Sequence, residues 1–324
     1  MTAIRVLLQT ARLRLFQPGS TSALDIKAWT ANQNYFFTND ITATSFCLSA
    51  SDPEEVRQAL ANDLNRLASA AFESAAGIGL DSAFPRSVAW GSVRSYYSAF
   101  FAAHAFMRLF GTACIQLDDE HVDQVLSAAQ AMGRSGSMTS IDAGFFAASI
   151  DPSFRTVTFR RLKDSHRDTW ATLVSVVDGL QTAIAAATAL SSHKLEASAL
   201  LSDLKAQLTR SGSARGNWLS TIRNSINYRQ SHGAWFPYNR SADPALLESA
   251  ARAWKTSPSP GLPSAAQTEL ECFFRASTGL VALVRELTSE AAKLNSPVSP
   301  TFEGGCLKLL NEAMTPPRHA AKKM

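Results

Sequence analysis

Apolar residues recur at helical spacing along most of the chain. Over residues 4–16, Ile4, Leu7, Leu8, Ala11 and Leu15 share one face and Gln17-Pro18-Gly19 ends the pattern, which predicts a first helix. The polar, β-branched and aromatic stretch 32–51 suits a short strand pair or an irregular loop better than a helix. Ser51-Asp52-Pro53-Glu54-Glu55 combines a capping residue, a proline in the first turn and acids at the positive end of the dipole, so a helix should start there and run to about residue 76. After a loop over 77–85, the segment 86–110 is apolar nearly all round, the pattern of a helix at the centre of a bundle or in a subunit interface. Further helices are expected over 118–132, 168–189, 194–209, 218–229, 244–255 and 264–294. They are separated by a long connector over 133–164 that alternates across 154–159, a break at 211–216, a stop at Gly233 and Pro237, and a proline-rich linker over 257–263. The closing Pro-Pro-Arg-His-Ala-Ala-Lys-Lys-Met reads as a disordered tail.

Composition narrows the class. At roughly 150 residues per domain, 324 residues allow two domains or one large one. With 46% hydrophobic and 18% charged residues the chain is an ordinary globular protein, which excludes a disordered or collagen-like one. Its apolar runs are broken well before the ~20 residues of a bilayer span, so no membrane association is expected. The N-terminal stretch carries Arg12 and Arg14 and no small-residue cleavage site, so it does not read as a signal peptide and a cytoplasmic location is expected. Cys47, Cys114, Cys272 and Cys306 lack metal-binding or disulfide-framework spacing and are expected to be buried thiols, with no metal and no cofactor.

The net charge is only +4, but it is unevenly placed. Residues 82–117 hold Arg86, Arg94 and Arg108 and no acid; residues 204–242 hold Lys205, Arg210, Arg215, Arg223, Arg229 and Arg240 and again no acid. If these windows meet in space they form a positive patch able to attract a polyanion.

Two segments in those windows carry the candidate chemistry. The first is Val93-Arg94-Ser95-Tyr96-Tyr97-Ser98-Ala99-Phe100-Phe101-Ala102-Ala103-His104-Ala105-Phe106, and the second is Ile222-Arg223-Asn224-Ser225-Ile226-Asn227-Tyr228-Arg229-Gln230-Ser231-His232. Together, over residues 86–238, they resemble the HEPN superfamily of helical bundles, in which an early helix carries a Tyr-Tyr-x-x-Phe-x-x-Ala pattern and a late helix an Arg, often Arg-Asn, followed by a His. The resemblance implies an all-α fold: an N-terminal helical segment (1–80), a HEPN-like core (81–242) with a long insertion near 133–164, C-terminal helices packed on it (243–294) and a tail (295–324). It also implies a metal-independent endoribonuclease of toxin–antitoxin or antiviral type, acting as a homodimer on RNA, leaving 2′,3′-cyclic phosphate ends and restrained by a protein or antitoxin partner. The alternative is a non-catalytic module of the same kind that binds nucleic acid or a protein.

In that chemistry the ribose 2′-hydroxyl attacks the adjacent phosphate. A histidine accepts the proton and an arginine holds the developing charge on the phosphorane. Arg223, Asn224 and His232 are the expected catalytic residues. On an unbroken helix His232 would face away from Arg223, so the two meet only if the helix ends between Tyr228 and His232. Arg94, Arg215, Tyr228, Arg229 and Trp235 are the expected nucleic-acid contacts, cations interleaved with aromatic rings. Tyr96, Tyr97, Phe100, Phe101 and His104 read more simply as core packing. His121, His166, His193 and His319 stand in polar stretches and point to no chemistry.

Overall fold

The computed structural model describes residues 2–19, 24–78, 87–235, 242–256 and 267–315. The chain opens with α1 (Ala3–Leu8), a 3₁₀ turn (Leu13–Phe16) and α2 (Ile26–Ala31). It then pairs β1 (Tyr35–Phe37) with β2 (Ser45–Ala50) and continues into α3 (Pro53–Ala76) and α4 (Ala89–Leu109). β3 (Thr112–Leu117), α5 (Asp119–Ala131), β4 (Gly144–Ile150) and β5 (Thr156–Arg161) follow. The remainder is α6 (Arg167–Ala186), α7 (Ser191–Leu208), a 3₁₀ turn (Arg210–Gly212), α8 (Trp218–Arg229), α9 (Ala245–Ala253), α10 (Glu269–Leu294), α11 (Pro300–Gly304) and α12 (Cys306–Met314).

The five strands form one antiparallel sheet in the order β1-β2-β5-β4-β3. The expectation of an all-α bundle is therefore wrong: the protein is mixed α/β. Of the two alternatives for 32–51, a strand pair or an irregular loop, the strand pair forms, and the supposed connector 133–164 holds two further strands. In β5 the alternation is plain, with Val157 and Phe159 buried and Thr158 and Arg160 exposed. What a local reading cannot supply is its neighbour: β5 pairs with β2 from far earlier in the chain, setting Phe46 opposite Phe159 with their rings stacked at 4.7 Å. β3 shows no alternation to read, because Ala113, Cys114, Ile115 and Leu117 are all buried.

Gly111 makes the turn from α4 into β3. Its φ of +81° is disfavoured for other residues, and a Cβ there would lie 2.9 Å from the carbonyl oxygen of Ile150, which hydrogen-bonds back to Gly111 O through its own N–H at 2.8 Å. The helix expected over 4–16 is divided because Arg12 leaves it, donating its backbone N–H to Leu109 O (2.8 Å) and its guanidinium to Thr10 O and Ile150 O. α3 begins as expected, with Asp52 accepting from the N–H of Glu54 at 2.8 Å. α10 starts on a reciprocal cap between Thr268 and Glu271. Within the stretch expected as a tail, α11 and α12 pack on α3: Phe302 stacks on Phe16 at 4.4 Å, and Asn65 bonds Thr301 O and the N–H of Cys306. The terminal Pro-Pro-Arg-His-Ala-Ala-Lys-Lys-Met lies outside the described residues.

α4 is the centre. It packs against α3, α10, α8, α6, α9 and β3, and none of residues 95–109 is exposed. Such a helix can carry a charge only if the charge finds partners. Arg108 reaches Asp63 on α3 (3.7 Å), His104 Nδ1 one turn back (2.9 Å) and Cys114 O on β3 (3.1 Å). Burial holds the Asp63 carboxyl above, and the Arg108 guanidinium below, their ordinary ranges, with each partner opposing the shift. Cys114, Cys272 and Cys306 are buried free thiols, whereas Cys47 is half-buried. No described helix is long and apolar enough to cross a membrane.

Asp63→Ala strands Arg108 in the core, and we expect it to cost roughly 3–5 kcal/mol, read as a fall in the urea midpoint at unchanged slope.

Candidate functional site

α4 and α8 pack together, so the two acid-free windows do meet. Their charge is largely answered by acids from other elements: Arg108 by Asp63, Lys205 by Asp178 at 2.6 Å, and Arg215 by Asp168 at 3.6 Å. Arg210 lies over the Trp218 ring, and Arg86 and Arg240 fall outside the described residues. Of the cations in these windows that no acid answers among the described residues, Arg223 is the buried one, whereas Arg229 is exposed and Arg94 bonds a backbone carbonyl.

Arg223 sits in the middle of α8 and is 8% exposed. Its guanidinium carbon lies 4.7 Å from the centre of the Tyr96 ring and 5.9 Å from that of Tyr97. Among the described residues it has no ion-pair partner, and its buried Nε has no hydrogen-bond acceptor. Tyr96 itself is fully buried. Its phenol oxygen is 2.9 Å from Ser220 Oγ and 3.0 Å from His166 Nδ1, and accepts from Trp170 Nε1 at 3.4 Å. Phe100 stacks on Tyr96 and packs tilted against His166 at 4.7 Å. The site is therefore a cation on an aromatic face, with a half-buried imidazole joined to the same phenol.

The electrostatics keep that imidazole neutral. Burial lowers the pKa of His166 below its ordinary value, Arg223 lowers it further, and Asp164 opposes them. The phenol has one proton to give. When it goes to Ser220, His166 donates from Nδ1 and leaves Nε2 as an unprotonated base; when it goes to His166, Nε2 carries the proton. Neighbouring His104 is buried beside Arg108, and burial together with that cation pushes its pKa far down, which makes it a packing residue.

The other expected residues disperse. α8 does end where required: Gln230 adopts left-handed backbone (φ +52°) and the chain doubles back. His232 is delivered to Ser225 (Nε2 to Oγ, 2.8 Å) and to Glu269 (Nδ1 to Oε2, 3.9 Å), while Arg223 faces Tyr96. Asn224, Tyr228 and Arg229 are exposed on α8, with Tyr228 77% so. Trp235 donates to Ile226 O at 2.9 Å and meets Trp90 edge-on at 5.6 Å, tying down the end of α8. Arg94 donates to Gly77 O at the end of α3 and lines a separate cleft of about 580 Å³ with Glu73 and Glu312. Arg215 is exposed above the first turn of α6.

His166 was not singled out in the sequence. A signal was present: an aspartate, Asp164, precedes the helix and accepts from the N–H of Arg167 at 2.5 Å, and His166 stands at the N-cap of α6, the positive end of the helix, where a neutral imidazole is favoured. Among the described residues no group of three or more His, Cys, Asp or Glu could hold a metal ion. Compared with protein-family models, with curated proteins and with solved structures, the chain matches none. The resemblance to HEPN proteins therefore rests on the two segments alone.

An NMR titration should find His166 ionising below the ordinary histidine value of about 6.5, and Arg223→Gln should raise it. Between the unfolded and native values only the unfolded chain takes up this proton, so the contribution of His166 to stability is whole above about pH 6.5 and declines as the pH falls.

Proposed function

We propose that the protein binds single-stranded RNA, taking a backbone phosphate at Arg223. The observation that carries this is a buried guanidinium with no counter-ion among the described residues. An unpaired buried charge is unfavourable, and the Tyr96 face offsets part of that cost, about 2 kcal/mol or more for a desolvated pair. A phosphate would supply the missing charge and accept two parallel hydrogen bonds. Exposed aromatic side chains on the same two helices, Tyr228 on α8 and Trp90 at the start of α4, offer faces for unstacked bases, and Arg229 adds an exposed cation.

A second reading, metal-independent cleavage, is favoured by the neutral His166 at the same phenol. There the 2′-oxygen would attack phosphorus as Nε2 takes its proton, Arg223 would hold the phosphorane charge, and the bond from phosphorus to the 5′-oxygen would break, that oxygen leaving as the hydroxyl with the proton returned by His166. The 2′,3′-cyclic ends, toxin–antitoxin or antiviral setting, homodimer, antitoxin-type partner and cytoplasmic location expected of HEPN ribonucleases belong to this second reading, with His166 in the place expected for His232.

Anisotropy of a fluorescein-labelled RNA across a salt series tests binding. Arg223→Ala should weaken affinity about ten-fold or more, as for a lost charged hydrogen bond, and reduce the salt slope by about 1. Equal affinity in the folded variant would refute the assignment. Incubation of total RNA with the protein in EDTA separates the readings: cyclic-phosphate fragments that disappear in His166→Gln establish cleavage, whereas bound but intact RNA leaves the binding module.

A further inference from the structure

The turn after α8 builds a second constellation, about 200° around that helix from Arg223. Ser225 Oγ lies 2.8 Å from His232 Nε2, and His232 Nδ1 lies 3.9 Å from Glu269 Oε2. We propose that Ser225, His232 and Glu269 are a nucleophile, base and orienting acid that cleave an activated carboxylic ester. This does not depend on the RNA reading.

Three elements are needed to make it. Ser225 stands in the last turns of α8, Glu269 is the first residue of α10, and His232 comes from the reversal between them. The backbone N–H groups of Gln230 and Ser231 both return to Ser225 O, which fixes the reversal directly over the serine. It is held with Gln230, His232 and Gly233 all at positive φ (+52°, +64° and +63°), backbone that is uncommon for residues other than glycine. The imidazole is thereby aimed at one hydroxyl. Its side chain keeps 19% exposure and Ser225 is half-buried, so a small substrate can reach both.

The geometry meets the requirement for an activated serine: nucleophile and base within hydrogen-bond reach, and a third group beside the base. The serine hydroxyl has two acceptors in range, Ile222 O at 2.7 Å and His232 Nε2. Glu269 at 3.9 Å is at ion-pair rather than hydrogen-bond distance, and catalytic contacts of this kind commonly tighten only when substrate binds. Its other oxygen accepts from Ser211 Oγ at 3.4 Å, which restrains the carboxylate. The N–H groups of His232 and Gly233, in the same turn, have no backbone acceptor among the described residues.

The step balances without a metal or redox partner. Ser225 Oγ bonds to the ester carbonyl carbon as its proton passes to His232 Nε2, and the carbonyl π pair moves onto oxygen. Collapse breaks the carbon–alkoxide bond, and His232 returns the proton to the leaving oxygen to give the alcohol. Water then attacks the acyl-serine, losing a proton to His232, and Ser225 leaves with that proton as the acid is released. Glu269 is a positioning residue that holds the imidazolium.

The test is labelling of the full chain with a fluorophosphonate, read by peptide mass spectrometry, beside hydrolysis of p-nitrophenyl acetate. An adduct on Ser225 is expected, with hydrolysis lost in Ser225→Ala and reduced about 10²–10⁴-fold in His232→Gln, the usual contribution of a general base. Glu269→Gln should slow the labelling of Ser225 and Glu269→Asp restore most of it, a rescue that a merely structural role would not give. Circular dichroism checks folding, and unchanged RNA affinity in Ser225→Ala separates this site from Arg223. Absence of a Ser225 adduct on the folded wild-type chain, or labelling at equal rate in His232→Gln, overturns the proposal.

Discussion

Between residues 95 and 109, α4 has no exposed residue, so it has to be covered on nearly every side at once. α3, α6, α8 and α10 pack around it, and β3 adds the edge of the sheet. The one full charge this stretch carries, on Arg108, is tolerable because Asp63, His104 and Cys114 O converge on it from three elements. The surrounding layers are arranged to satisfy this helix, and both candidate sites lie on an element that helps cover it.

Tyr96 shows how covering becomes chemistry. A buried phenol needs partners for its oxygen, and the nearest elements answer with Ser220, His166 and Trp170. The ring face is left for Arg223. Satisfying one buried tyrosine thus brings a guanidinium and an imidazole to the same group. The cation lowers the proton affinity of the imidazole in addition to burial, so the site combines a fixed positive charge with a neutral base.

Helix termination does comparable work at the other end of α8. Had the helix continued past Arg229, His232 would have projected into solvent or a different neighbour. The left-handed residue at Gln230 instead turns the backbone onto Ser225 and carries the histidine with it. A change in a few dihedral angles therefore decides which residue His232 serves.

Much of the fold was legible in the chain: the cap and length of α3, the enclosure of α4, the non-helical character of the stretch near residue 40, and the extents of α5 through α8. These depend on neighbours a few residues apart, whose side chains repeat every 3.6 or 2 positions and whose caps lie beside the helices they start. The sheet, the neutralisation of the basic windows, the role of His166 and the partner of His232 were decided only by the tertiary structure. Phe46 meets Phe159, Asp178 meets Lys205, and Tyr96 meets His166 across long stretches of chain. A hydrogen bond or ion pair of that kind leaves no local periodicity, because it exists only after packing has brought distant segments together.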